Sequence, residues 1–214
     1  MIGAGPGGYT AAITAAQHGM KAALIESREA GGTCLNRGCI PTKALLHSAE
    51  RHREMKDSAS LGIYAENVSY DIEAIYRRKD EVVLSVREGI ESLINANKID
   101  LFHGAATILS SEEVAVSGPN EDTVLNTAKI LIATDALLSR PPIGGFDSSG
   151  VITSDELLEG RAVDYKSLII IGGGVIGAEF ASVFSALGCE VTIIEALERI
   201  VPTLDREISQ NLTM

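Results

Sequence analysis

The chain has 214 residues, 45% of them hydrophobic and 22% charged, with 21 glycines and no tryptophan. Its 29 acidic residues against 18 basic ones leave a net charge of −11. That balance disfavours a nucleic-acid partner, because phosphate contacts need basic surface. No apolar run approaches the roughly 20 residues of a membrane span, so a globular enzyme off the membrane, cytoplasmic by default, is the expectation.

The chain opens on Met1-Ile-Gly-Ala-Gly-Pro-Gly-Gly8, which places Gly3, Gly5 and Gly8 in the G-x-G-x-x-G spacing, with Pro6 and Gly7 between them. The small residues from Tyr9 to Gly19 predict a helix, Lys21 to Ile25 an apolar strand, and Glu26 follows. In that context Gly3 serves the tight turn, Gly5 lets backbone amides approach a pyrophosphate, and Gly8 lets helix and strand pack closely. The helix N-terminus faces the phosphates and Glu26 accepts from the ribose hydroxyls.

Residues 31–43 read Gly-Gly-Thr-Cys-Leu-Asn-Arg-Gly-Cys-Ile-Pro-Thr-Lys, with four residues between Cys34 and Cys39. Two cysteines on a glycine-loosened loop can cycle between dithiol and disulfide if Gly38 lets their β-carbons approach to about 4 Å. Without a secretion signal such a pair reads as catalytic rather than structural. A zinc half-site fails for want of partners, since the remaining cysteine, Cys189, is remote, so no metal is expected.

Cys39 to about Lys56 predicts a helix with Ile40, Leu45 and Leu46 in the core, and 57–70 a loop or crossover. Asp71 to about Asn97 predicts a long helix whose Ile72, Ile75, Tyr76, Val82, Val83, Val86, Ile90, Leu93 and Ile94 recur at helical spacing and read as core. Residues 99–133 predict short strands turning at Gly118-Pro119-Asn120. The four histidines, His18, His47, His52 and His103, read as solvated or capping groups. Cys189 reads as a small buried hydrophobe.

The opening pattern then recurs. Ser167 to Ile171 is an apolar strand, Gly172-Gly-Gly-Val-Ile-Gly177 repeats the glycine spacing, Val175 to Leu187 is a helix and Glu190 to Ile194 a strand. Glu195 follows Gly177 at the distance at which Glu26 follows Gly8. A duplicated βαβ unit implies two nucleotides in one enzyme. A carboxylate at Glu195 welcomes a ribose diol and repels a 2′-phosphate, which favours NAD(H) over NADP(H).

The order Gly-Ala-Gly-Pro-Gly-Gly, Gly-Gly-Thr-Cys-Leu-Asn-Arg-Gly-Cys-Ile-Pro-Thr-Lys and Gly-Gly-Gly-Val-Ile-Gly-Ala-Glu resembles the class I pyridine nucleotide-disulfide oxidoreductases. The Cys-Leu-Asn-x-Gly-Cys-Ile-Pro-Thr-Lys wording is most similar to the dihydrolipoamide dehydrogenase branch of that family. The resemblance implies an α/β fold with two Rossmann-like units, the second inserted and truncated. A FAD-binding domain would span 1–140 and an incomplete NAD-binding domain 141–214, with Pro141-Pro-Ile-Gly-Gly145 marking the crossing.

By the same resemblance FAD would be held by Gly3, Gly5, Pro6, Gly7, Gly8, Glu26, Gly32, Thr33, Lys43, Ala106 and Thr134. Ala106 would approach the adenine through its backbone, and Ala128 to Thr134 would be a strand returning to the flavin sheet. NAD would be held by Gly172, Gly174, Val175, Ile176, Gly177 and Glu195. Cys34 would be the interchange thiol, Cys39 the flavin-facing one, and Lys43 with Glu179 the ion pair that stabilises reduced flavin and thiolate. Electrons would pass from a dihydrolipoyl group through the disulfide and FAD to NAD+. Another disulfide reductase on this scaffold, and a non-catalytic nucleotide-binding remnant, are the alternative readings.

The resemblance further implies a lipoyl domain or the acyltransferase core of a 2-oxo acid dehydrogenase complex as partner, and a homodimer for the full-length enzyme. The chain starts at Met1 and stops at Met214, where the family has an earlier strand, a later Gly-Asp flavin motif, an interface domain and a His-Glu pair. An N-terminal portion of a longer enzyme is therefore the expectation. Asp135 stands where the family's Ala-Thr-Gly turn has glycine, which predicts local crowding or backbone strain.

Overall fold

A computed structural model describes residues 1–119 and 122–213. The packing groups these into two compact units, one of 1–41 with 81–156 and the other of 42–80 with 157–213.

In the first unit, helix α1 (Pro6–Gln17) starts on the glycine turn. It begins three residues before the sequence expectation because Pro6 sets the helical φ of the first turn without forfeiting a needed N–H. Gly19, at φ +79°, ends it. Strand β1 (Ala23–Glu26) pairs in parallel with β2 (Asp100–His103), from Ala23 opposite Asp100 to Glu26 opposite His103. Ile2 extends that sheet by single bridges to Ile25 and Ile132.

Helix α2 (Gly32–Arg37) carries the first cysteine, so the redox segment is a short helix rather than the expected loop. Helix α3 (Cys39–Asp57) follows one residue later, and a 3₁₀ turn (Ser58–Leu61) opens the segment expected to be loop. Helix α4 (Ile72–Ala96) matches its sequence pattern. Its start is fixed by Asp71, whose Oδ1 accepts from the N–H of Glu73 at 2.9 Å and of Ala74 at 3.1 Å.

Strands β3 (Ala105–Ile108), β4 (Glu113–Ser117) and β5 (Asp122–Asn126) form an antiparallel meander. Asn120 of the expected turn lies outside the described residues. Ala128 to Thr134 does not form the expected strand. Its pairing partner is the short stretch before the Gly3 turn, which supplies one rung, with Ile2 N–H donating to Leu131 O and Ala133 N–H to Ile2 O. The core of this unit joins Ala4, Ala12, Leu24 and Leu35 to Val83, Ile90 and Ile94 of α4, and Ile25 to Val114 and Val116.

The second unit contains a βαβ motif of β6 (Ser167–Ile171), α6 (Val175–Ala186) and β7 (Glu190–Ile194), the strands parallel and in register from Ser167 opposite Glu190 to Ile171 opposite Ile194. Helices α5 (Ser154–Glu159) and α7 (Arg206–Thr213) flank it in sequence. Leu45 and Ala49 of α3, Tyr76 of α4, Leu157 and Leu158, and Phe180, Val183 and Phe184 of α6 form its core.

Two side chains expected in the core of α4, Val86 and Leu93, are exposed instead. Both fall on helical spacing, but the buried stripe runs through Val83, Ile90 and Ile94, and nothing among the described residues covers the neighbouring face. Leu45 is buried as expected, and Ile40 and Leu46 are half-buried.

Candidate functional site

The two glycine turns have the same internal construction. Gly3 takes φ +97° and Gly172 φ +107°, the left-handed region that glycine tolerates. Gly3 N–H donates to Ile25 O at 2.8 Å and Gly172 N–H to Ile194 O at 2.9 Å, each to the residue before the acidic one. A Cβ at Gly8 would lie 1.8 Å from Gly3 O, and one at Gly177 would lie 2.0 Å from Gly172 O. Both positions therefore exclude any side chain where helix meets strand.

The two acidic residues brace these turns. Glu26 Oε2 accepts from Ala4 N–H at 2.8 Å and its Oε1 from Arg28 N–H at 2.9 Å. Glu195 Oε2 accepts from Gly173 N–H at 2.7 Å and its Oε1 from Leu197 N–H at 2.9 Å. The backbone donors of Leu197 and then Gly173 hold the Glu195 carboxyl below its ordinary value, so it is an anion at neutral pH.

Both following helices begin without a side-chain cap and without an acidic residue in the first turn. Their first N–H groups, at the positive end of the helix dipole, are thus disposed toward an anion. Around Gly174 the space is open: a Cβ there would meet no atom within 4 Å. Pro6, Gly7, Val175 and Ile176 at the two helix starts are exposed, as is Thr134, while Ala106 is half-buried on β3.

The redox segment is built against the first turn. Gly31 N–H donates to Ala4 O at 2.8 Å, and a Cβ on Gly32 would lie 2.6 Å from Gly5 Cα. Cys34, like Thr33, is half-buried on α2, and Cys39, at the first position of α3, is exposed. Between them a Cβ on Gly38 would lie 3.0 Å from Thr33 O and 3.2 Å from Cys34 Cα, so the chain folds back tightly at that residue. In the second unit Lys43 Nζ and Glu179 Oε1 form an ion pair of 2.9 Å.

A profile of the family described as pyridine nucleotide-disulphide oxidoreductase matches residues 1–214. The chain belongs to this family. Dihydrolipoyl dehydrogenase of Chlamydia pneumoniae is 46% identical to it, with 100% of this chain covered and 46% of that protein. Dihydrolipoyl dehydrogenase of Acholeplasma laidlawii is 44% identical over 97% of this chain and 62% of its own length. Among solved structures, the HOCl-induced flavoprotein disulfide reductase RclA of Escherichia coli is similar at a TM-score of 0.82 and 35% identity, over 99% of this chain and 45% of that one. The chain thus spans about half the length of most of these relatives.

Several residues that shape this family member's site were missed in the sequence. Asn36 is buried on α2, and its amide donates to Ala30 O at 3.0 Å and Gly32 O at 2.9 Å while its Oδ1 accepts from Arg87 Nε at 2.9 Å. Arg37 is buried beside it and pairs with Glu29 at 2.6 Å. Burial opposes the charge of Glu29, but the hydrogen bond and charge of Arg37 outweigh it and hold that carboxyl below its ordinary value. No signal in the sequence could have found them, because the segment reads as loop and the partner Arg87 is remote in the chain.

Two further differences concern single residues. His52, expected to be solvated or capping, is buried, its Nδ1 3.0 Å from Ala186 O and its ring edge-on to Tyr70 at 4.9 Å. His18 does sit at a helix end, its Nδ1 2.8 Å from Thr14 O. Asp135 takes φ +64°, the strained left-handed backbone expected where a side chain replaces glycine, and its Oδ1 accepts from Ala136 N–H at 2.9 Å.

Proposed function

We propose that this chain supplies the cofactor turns and the dithiol of a dihydrolipoyl dehydrogenase, with Cys34 and Cys39 as its redox pair. The observation that carries this reading is the fusion of the cysteine segment to the first glycine turn through Gly31 and Gly32. It ties the thiol-bearing segment directly to a glycine turn of the pyrophosphate-binding pattern. The share of sequence with dihydrolipoyl dehydrogenases supports the substrate class.

The first turn fits the diphosphate of FAD and the second that of NAD, because each offers uncapped helix N–H groups, a side-chain-free crossing and a terminal carboxylate for a ribose diol. Residues 1–140 then act as the FAD-binding domain and 141–214 as part of the NAD-binding one. FAD and NAD+, when bound, supply the two-electron acceptors that complete the cycle. Glu195 selects NAD over NADP by its charge.

The chain's own chemistry is thiol exchange. A dihydrolipoyl thiolate attacks Cys34 Sγ of the Cys34–Cys39 disulfide; a mixed disulfide forms and Cys39 leaves as thiolate. The second lipoyl thiolate attacks the lipoyl sulfur of that mixed disulfide, which closes the oxidised lipoyl ring and releases Cys34 as thiolate. Both electrons of the substrate now reside on the cysteine pair. Lys43, paired with Glu179, is by the resemblance the cation that favours the reduced, anionic state.

A lipoyl domain or the acyltransferase core of a 2-oxo acid dehydrogenase complex is the proposed source of substrate, and a homodimer the proposed state of the whole enzyme. No helix among the described residues is long and apolar enough to cross a membrane; the proposed location is the cytoplasm.

The test is the visible spectrum of the chain with FAD before and after anaerobic dihydrolipoamide. Retained flavin that develops a long-wavelength charge-transfer band, lost in Cys39→Ser and present without substrate in Cys34→Ser, supports the reading. Flavin that binds but ignores the dithiol, or responds only to another disulfide substrate, overturns the dihydrolipoyl assignment.

A further inference from the structure

The cysteine segment is held by one buried amide whose polar ends face opposite ways. The NH2 of Asn36 donates to Ala30 O of the approach loop and to Gly32 O at the start of α2, and its Oδ1 accepts from Arg87 of α4. The same loop is bonded to the first glycine turn by Gly31 N–H to Ala4 O. Leu35, next to Asn36, is buried in the core with Val83 and Ile90 of α4, which bracket Arg87 in sequence. Asn36 therefore joins α2 to α4 directly, and the loop it ties down carries the link on to the glycine turn.

The orientation of that side chain is not self-evident, because an amide can rotate to present oxygen or nitrogen to either side. Arg87 decides it. A guanidinium only donates, so it demands the oxygen and turns the NH2 toward the two carbonyls. We infer that Arg87 and Asn36 are positioning residues for the Cys34–Cys39 pair: Arg87 sets the Asn36 amide, and Asn36 fixes the start of α2 and so the approach of the two sulfurs. The inference rests on the proposed redox role of that pair. Holding two thiols close raises their effective concentration, which favours the disulfide over the dithiol.

Asn36 itself is a poor target, since removing it leaves two carbonyls without their donors and threatens folding. Arg87 is half-buried and offers a matched comparison. Gln places an amide nitrogen, and Met a methyl carbon, at the chain position where Arg carries Nε. The full 214-residue chain and its Arg87→Gln and Arg87→Met variants are equilibrated in glutathione redox buffers. The fraction of Cys34–Cys39 disulfide is read by alkylation and peptide mass spectrometry, with Tm measured alongside.

The expected result is an effective concentration about tenfold lower in Arg87→Met, equivalent to about 30 mV for a two-electron couple, with Arg87→Gln close to the unaltered chain. Equal redox equilibria in all three proteins, whatever their Tm, would overturn the inference and leave Arg87 a purely structural residue. A Gln variant that falls as far as Met would overturn it too, because the donor would not be what acts. An unaltered chain that forms no Cys34–Cys39 disulfide in any buffer would overturn the redox reading itself, and this inference with it.

Discussion

At the residue scale the glycines divide into those that pack and those that face open space, and the difference is measurable. A methyl at Gly8 or Gly177 would press on a carbonyl oxygen of the preceding turn. Gly8→Ala is expected to cost about 3 kcal/mol in urea unfolding and to abolish flavin retention. Gly174→Ala meets no atom within 4 Å, so its stability should stay within about 1 kcal/mol of the unaltered chain while its NADH affinity, read by fluorescence titration, falls. The Glu29–Arg37 pair makes a prediction about pH. The carboxyl is held below its ordinary value of 4.5, so its contribution is complete above that value and drains away as pH falls through the depressed one. The Tm gap between the unaltered chain and Glu29→Gln should therefore be present at about pH 7 and shrink as the pH is taken below the ordinary carboxylate range. A gap that persists in acid would show that shape, not charge, matters at this site.

At the element scale the long helices were legible because their apolar spacing is unbroken, whereas the shorter pieces depended on partners. Helix α4 was read to within a residue at each end, yet its apolar face is wider than the stripe the protein buries, as Val86 and Leu93 show. Helix α2 carried no periodic signal: six residues with glycine at either side read as loop, and Asn36, bonded to Ala30 and Arg87, and Leu35 turn them into helix by bonds and packing beyond the segment. Ala128 to Thr134, expected as a strand from the resemblance, erred the other way, since a strand needs a partner and this one finds a single rung at Ile2. Tyr76 links two elements of the second unit, its hydroxyl donating to Leu157 O at 3.2 Å, and burial pushes its pKa to about 12. Tyr76→Phe should lower stability by about 1 kcal/mol in urea unfolding without altering nucleotide affinity. An unchanged midpoint would mean that solvent replaces the bond.

For the whole molecule the internal repeat is the governing feature, because two turns of one construction are assigned to two different nucleotides. Hydrogen exchange should separate them: FAD is expected to protect amides around Gly3 to Gly8 and 29–36, and NADH those around Gly172 to Gly177 and 195–201. Protection of both turns by either ligand alone would contradict the assignment. What the sequence by itself determined was everything carried by contiguous residue spacing: both glycine turns with their acidic ends, the cysteine pair, the helical periodicities and the family they point to. Backbone conformation in such stretches is dictated locally, by glycine's access to positive φ and by the hydrogen bonds neighbouring residues can reach. Only the tertiary structure decided which apolar face of α4 is buried, that His52 lies inside, and that Arg87 reaches Asn36. Those contacts join residues far apart in the chain, and their energy depends on burial and on the exact partner's geometry, neither of which leaves a periodic trace in the sequence.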